Sequence, residues 1–309
     1  MNNNLIKKLS LLAPCLLLAI GLFASASSAA IVNGISNPTT IQRVISLAPS
    51  ITEILYAIGA GQSVVGITRY CNYPPETAKV ARIGGYYDPN YEAILSLHPS
   101  LVIRLTEHTQ ASQLLQSLDI KSLEVNHQSL QGILNSISMI GKATGYATRA
   151  EQLKQKIENQ LEMLAEFSLN QPTKSVLIAF ARPAGQETIN KLYIAGKEAF
   201  YSPILEKIHA TNAYQGDVAF PVISAEGLIQ MRPDVVIDIT PDPETSPEKE
   251  SQALQQWIRT FPPGTLTKQQ IHILPFDFMV IPGPRIDKLA TELTRAIYPE
   301  LSIPTLDAN

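Results

Sequence analysis

The sequence predicts an α/β protein of two similar lobes joined by one long helix. A helix-turn-strand unit occurs twice at a fixed spacing, strand-like and helix-like runs alternate in each half, and a long amphipathic stretch separates the halves. The first unit reads N-Y-E-A-I-L-S-L-H-P-S-L-V-I-R-L-T from Asn90, and the second reads S-A-E-G-L-I-Q-M-R-P-D-V-V-I-D-I-T from Ser224. Glu92 with Glu226, Pro99 with Pro233, Ile103 with Ile237 and Thr106 with Thr240 all keep an offset of 134 residues. In each copy an acid opens an amphipathic stretch, a proline stops the helix by removing a donor and crowding the preceding turn, and an apolar β-branched run follows as a buried strand.

Upstream of these units, Arg43 to Ala48 and Ser175 to Phe180 read as strands, each followed by a helix-like segment containing Ile-Leu, at Ile54-Leu55 and Ile204-Leu205. Such alternation predicts parallel sheets covered on both faces. A period this long fits two lobes and not a solenoid. Between the lobes, Thr148-Arg149-Ala150-Glu151 has the spacing of a capping box, in which hydroxyl and carboxylate satisfy exposed amides at a helix start. Leu153, Ile157, Leu161, Leu164 and Phe167 then recur at helical spacing until Gln171-Pro172. About 20 residues at about 1.5 Å each make a strut of about 30 Å. The expected division is an export segment at 1–30, a first lobe at 31–146, the helix at 147–171 and a second lobe at 172–309.

The export segment has Lys7 and Lys8, an apolar run from Leu9 to Phe23 and a small-residue end, the pattern of a cleaved secretory signal. Its apolar run is shorter than a bilayer span requires. Pro14 before Cys15, with apolar residues continuing after it, is wrong for a lipidation site. Without residues 1–30 the chain keeps 22 basic against 27 acidic residues and one cysteine, Cys71, so no internal disulfide is expected. A periplasmic location fits. At 309 residues, with 45% hydrophobic and 17% charged residues, the chain is globular and not disordered. Nothing in its charge favours a phosphate backbone, so nucleic acid is not an expected partner.

Arg43 to Glu53 (R-V-I-S-L-A-P-S-I-T-E), Val65 to Pro74 (V-G-I-T-R-Y-C-N-Y-P), Ile83-Gly84-Gly85, the two repeated units and Pro282-Gly283-Pro284-Arg285-Ile286 resemble the iron-complex and vitamin B12 class of periplasmic substrate-binding proteins of ABC importers. The resemblance covers about residues 41 to 300, in the family's order. It implies two Rossmann-like lobes joined by a rigid helix, with one ligand in the cleft between them and small lobe movements. It also implies a protein that is not an enzyme, has no cofactor of its own and works as a monomer. Such a protein delivers a metal complex to a permease dimer in the inner membrane, here expected to be a ferric siderophore, with a corrinoid or haem as the alternatives. Glu92 and Glu226 match the family positions that dock onto permease arginines. Two acids at equivalent places would also steer a basic partner. Alternatively, each stabilises its own helix N-terminus by about 0.3–1 kcal/mol.

In open α/β sheets ligands bind beyond the carboxyl ends of the strands. Tyr70, Tyr73, Tyr86, Tyr87 and Tyr91 fall in such segments, five of the 11 tyrosines within 22 residues. A tyrosine offers a flat apolar face and a hydroxyl. Tyr70, Tyr86 and Tyr87 are candidates to contact the ligand, with the other tyrosines able to serve as packing. Arg104 and Arg182 each follow a strand and would pair an anionic ligand through two parallel hydrogen bonds, or else stand as solvated strand-end charges. Phe220, Met279 and Arg285 complete the set, with a structural turn as the other role for Arg285. The histidines show no metal-site spacing. His108, with Tyr70 or Tyr86, is the one placed to offer an axial haem ligand. His98 and His209 read as structural, and Trp257 as a surface-helix anchor. For a catalytic reading, Gly59-Ala60-Gly61 has Val64 where a third glycine belongs, and there is no Walker lysine and no nucleophile elbow. Ser50 reads as a helix cap and not as a nucleophile.

Overall fold

The computed structural model describes residues 42–183, 185–241 and 246–304, so the export segment at 1–30 lies outside the described residues. The first half contains β1 (Val44–Ser46), α1 (Pro49–Ala57), β2 (Val64–Ile67), β3 (Ala81–Arg82), α2 (Tyr91–Ser96), β4 (Leu101–Leu105), α3 (Thr109–Ser117), β5 (Ser122–Val125) and α4 (Leu130–Thr144). Its five strands are all parallel, in the order β3-β2-β1-β4-β5. Every residue of β1 and β4 is buried. Covered on both faces, these strands need continuous apolar runs and not alternation.

Helix α5 (Ala147–Ser168) connects the halves, and its 22 residues span about 33 Å. It starts before the expected capping box: Tyr146 occupies the N-cap and no side chain caps the helix. The reason is the tightness of the preceding turn. Gly145 ends α4 at φ 83°, so α5 begins almost at once. The two helices touch at Gly141, where an added Cβ would collide with that of Ala150.

The second half contains β6 (Lys174–Phe180), β7 (Lys191–Ile194), α6 (Tyr201–Lys207), β8 (Ala210–Asn212), β9 (Val222–Ser224), α7 (Ala225–Met231), β10 (Val235–Ile239), α8 (Pro247–Thr260), β11 (Ile271–Leu274) and α9 (Ile286–Ile297). Its six-stranded sheet runs β11-β10-β6-β7-β9, with β8 also on β6. The sheet is mixed, which corrects the expectation of purely parallel sheets: β7 runs antiparallel to both β6 and β9. Lys191 and Tyr193 are exposed while Leu192 and Ile194 are buried, the one-faced pattern of an antiparallel strand.

The internal repeat survives in atomic detail. α2 and α7 begin 134 residues apart, and their N-caps, Asn90 and Ser224, each accept from the backbone N–H three residues on, Ala93 at 3.0 Å and Gly227 at 3.3 Å. Each helix is followed by a left-handed residue directly before a proline, His98 at φ 45° and Arg232 at φ 44°. His98 and His209 therefore lie just past their helices, not within them.

One buried cluster runs from β1 and α1 through Ala150, Ile157, Leu161 and Leu164 of α5 to β10 and the Leu289, Leu293 and Ile297 face of α9. The two sheets thus share a core around the connecting helix, giving the two-lobed α/β fold predicted. Among the described residues no helix is long and apolar enough to cross a membrane.

A candidate ligand cleft between the lobes

Every strand of the first sheet sends the residues after its carboxyl end to one cleft of about 520 Å³. β1 supplies Pro49 and Ser50, β2 Tyr70, β3 Tyr86 and Tyr87, β4 Leu105 and Glu107, and β5 His127. The second half contributes Val280, Ile281 and Pro282, beyond β11. This is where an open α/β sheet places its ligand. A larger hollow of about 770 Å³ runs along α8, but its lining belongs to the second half alone.

The rim is aromatic. Tyr87 is 76% exposed and Tyr70 54%, both open to a ligand face. Tyr86 meets Tyr87 edge-on at 4.7 Å and His108 at 4.5 Å. The Tyr86 hydroxyl donates to Glu107 Oε1 at 2.8 Å, and Thr106 Oγ1 donates to the other carboxylate oxygen at 3.2 Å. Burial and the adjacent Glu107 carboxylate push the Tyr86 phenol well above its ordinary range, so it remains a neutral donor.

His108 lies behind this rim. The Leu105 backbone N–H donates to its Nδ1 at 3.2 Å, which places the ring proton on Nε2. Nε2 is buried without a partner, and burial lowers the imidazole pKa. A metal would have to displace that proton while Nδ1 still faced an N–H donor. His108 is thereby built as a neutral wall, not as an axial ligand.

Ser50 and His127 form the floor, with Ser50 Oγ 2.8 Å from His127 Nδ1. The sequence reading made Ser50 a helix cap. Instead α1 starts at Pro49 with Ala48 at the N-cap, so Ser50 is the second residue of the helix. The pair has the look of a nucleophile and base, but its chemistry is wrong for that role. Burial drives His127 down to about pKa 3, and no carboxylate orients its Nε2. So weak a base does not activate a hydroxyl.

All three predicted arginines are held in ion pairs. Arg104 pairs with Glu124, its register partner on β5, at 2.6 Å. Arg182 donates to the fully buried Asp238 at 2.6 Å, and Trp257 Nε1 donates to the same oxygen at 2.8 Å. Trp257 is accordingly a core residue, contrary to the surface role expected for it. Arg285 donates from Nε and one terminal nitrogen to the two oxygens of Glu53, at 2.8 and 2.6 Å, and from both terminal nitrogens to Asp277. Its guanidinium lies 4.1 Å from the Tyr73 ring centroid. Burial lifts the Glu53 carboxyl while Arg285 pulls it back, and the two acids outweigh burial at Arg285, which stays charged. This cluster ties the middle of α1 to the start of α9.

Of the remaining candidates, Met279 is fully buried in the shared core and Phe220 packs on Phe180 at 5.9 Å in the second half. The cleft therefore gathers Tyr70, Tyr86 and Tyr87 from the predicted set, with His108 directly behind them. Sequence reasoning missed Glu107 and His127 and gave Ser50 another role. The strand-end rule would have found His127, two residues past β5, had that short and partly exposed strand been recognised. Glu92 and Glu226 are exposed in the first turns of α2 and α7. Among the described residues no group of three His, Cys, Asp or Glu could hold a metal ion.

A cleft between two lobes, reached by loops from strand ends and floored by Ser50 and His127, is the arrangement of a binding protein. The periplasmic binding protein family model matches residues 44–260, and the chain belongs to that family of binding proteins. An uncharacterized ABC transporter substrate-binding lipoprotein of Bacillus subtilis, YvrC, is 28% identical over 267 residues, 84% of this chain and 81% of that protein. The vitamin B12-binding protein of Salmonella choleraesuis is 27% identical over 198 residues, 63% of this chain and 71% of that protein. Among solved structures, the periplasmic heme-binding protein RhuT of Roseiflexus sp. RS-1, in apo form, superposes with a TM-score of 0.69 at 26% identity, covering 84% of this chain and 98% of its own.

Proposed function

We propose that this protein captures a flat metal macrocycle of corrinoid type outside the cytoplasmic membrane and delivers it to an ABC importer. The observation that carries this reading is the charge of the cleft: its described lining includes three tyrosines and the Glu107 carboxylate, and no arginine or lysine. A ferric catecholate or the propionates of haem would bring negative charge against Glu107 with no cation to receive it. The arginines that favoured an anionic chelate are paired with Glu124, Asp238 and Glu53. A corrinoid presents neutral carboxamides around a ring that stacks on tyrosine faces. Of the groups considered for axial ligation of haem, Tyr86 and His108 are engaged as neutral groups, which leaves the exposed Tyr70 as the donor such a cargo would have to use. The named activity of the Salmonella relative supports the same choice.

In this reading residues 31–146 and 172–309 are the two lobes and 147–171 the connecting helix, and the mature chain acts as a monomer in the periplasm. Glu92 and Glu226 dock onto the permease dimer, one acid from each lobe. Titration of the mature protein with cyanocobalamin, haemin and a ferric catecholate, followed by tyrosine quenching and visible difference spectra, tests the cargo. One-to-one binding of cyanocobalamin at least tenfold tighter than the other two is expected. A preference for either anionic probe would reverse the reading.

A further inference from the structure

The floor of the cleft holds a hydrogen-bonded pair of buried side chains. Ser50 Oγ has one proton and two lone pairs, and among the described residues its one partner is His127 Nδ1 at 2.8 Å. His127 is 3% exposed and its Nε2 has no partner, a costly way to bury an imidazole if it only filled space. Both residues line the cleft and arrive from different strands, Ser50 after β1 and His127 after β5. The nine-residue α1 opens at the same spot with Pro49, which has no N–H, and Ala48 gives the amides of Ser50 and Ile51 no side-chain acceptor. Amides at a helix start point outward and carry partial positive charge, so they favour an oxygen acceptor. Pro282, on the opposite wall, belongs to the segment that Arg285 ties to Glu53 of the same helix, which holds the floor in place.

We infer that Ser50 is a specificity-determining contact whose hydroxyl, with the first amides of α1, holds a peripheral carboxamide oxygen of the cargo, and that His127 is a positioning residue whose Nδ1–H fixes that hydroxyl. A carboxamide suits the site better than a carboxylate, because the donors are neutral and Glu107 shares the cleft. This inference rests on the corrinoid reading above and adds the group that is recognised and the residues that recognise it.

The test is a double-mutant cycle on cyanocobalamin affinity, measured calorimetrically with the mature chain. Ser50→Ala should raise Kd about three- to tenfold, the loss of one hydrogen bond to the cargo, and should lower the unliganded Tm by about 2–6 °C because the buried His127 Nδ1 loses its partner. His127→Phe should weaken binding by a similar factor, and the double variant should be no worse than either single one. His127→Asn, whose side-chain N–H can stand in for Nδ1–H, should recover most of the affinity. Unchanged affinity in Ser50→Ala, with wild type still binding, overturns the inference and leaves the corrinoid reading intact. Additive losses in the double variant overturn the positioning role. Wild-type protein that does not take cyanocobalamin overturns both, so the two failures are told apart on the wild-type trace. If His127→Phe does not fold, Ser50→Ala and His127→Asn decide between them.

Discussion

Two buried polar groups dominate at the scale of single residues. Removing Arg285 strands Glu53, which is 2% exposed, as an unpaired buried charge. Such a break costs about 3–5 kcal/mol. Arg285→Met should therefore lower the urea midpoint sharply, Glu53→Gln with Arg285→Met should recover much of it, and Asp277→Asn should change it by under about 1 kcal/mol because that carboxylate is 59% exposed. His127 sets a pH dependence. Its pKa is about 3 in the fold and about 6.5 in the unfolded chain, so the unfolded state binds the extra proton between these values. Its contribution is complete above pH 6.5 and is lost as pH falls, at about 1.4 kcal/mol per unit. His108 and His272 are depressed in the same direction by burial. Denaturant titrations at pH 7.5, 5.5 and 4.5 should show a shallower loss for His127→Asn than for wild type. The equal slope of the two proteins would contradict the assignment. None of these pairings could be read from sequence: Glu53 and Arg285 are 232 residues apart, and a strand-end arginine's direction depends on a register set by Glu124 on a strand the pattern did not announce.

At the scale of elements, legibility followed repetition. The 134-residue offset fixed α2, β4, α7 and β10, because a proline after an amphipathic turn forces the same outcome twice. β7 and β9 were missed: they are short strands on the antiparallel side of the sheet, β9 at its edge, and weak in the apolar signal that marks β1, β4 and β10. The start of α5 at residue 147 was as expected, but the capping box at Thr148 was not, because the α4–α5 turn, and not a capping side chain, sets that start. Close contact at that turn makes Gly141 sensitive. Gly141→Ala should destabilise by about 1–3 kcal/mol through overpacking against Ala150, against the ordinary preference for alanine in a helix. A thermal melt that rose on this substitution would mean the helices can part at no cost.

The whole molecule is a pair of lobes with shared packing. α5 and α9 lie in one buried cluster with strands of both sheets, and Arg285, through Glu53, ties the lobes a second time. Wide opening would have to break both. Two exposed acids at equivalent first-turn positions fit a partner that grips both lobes at once. Glu92→Ala with Glu226→Ala should reduce importer-dependent uptake at least tenfold while cyanocobalamin affinity stays within about twofold, since neither residue lines the cleft. Loss of affinity in that variant would place the acids in cargo capture instead.

Five loops from the first sheet reach the cleft against one segment from the second. The cleft lining is therefore concentrated in a stretch from Pro49 to His127, and if the cargo sits there as proposed, the exposed loop tips at Tyr70 and Tyr87 set its preference. Transplanting those tips from a relative with another preference would retarget the molecule without redesigning its far half.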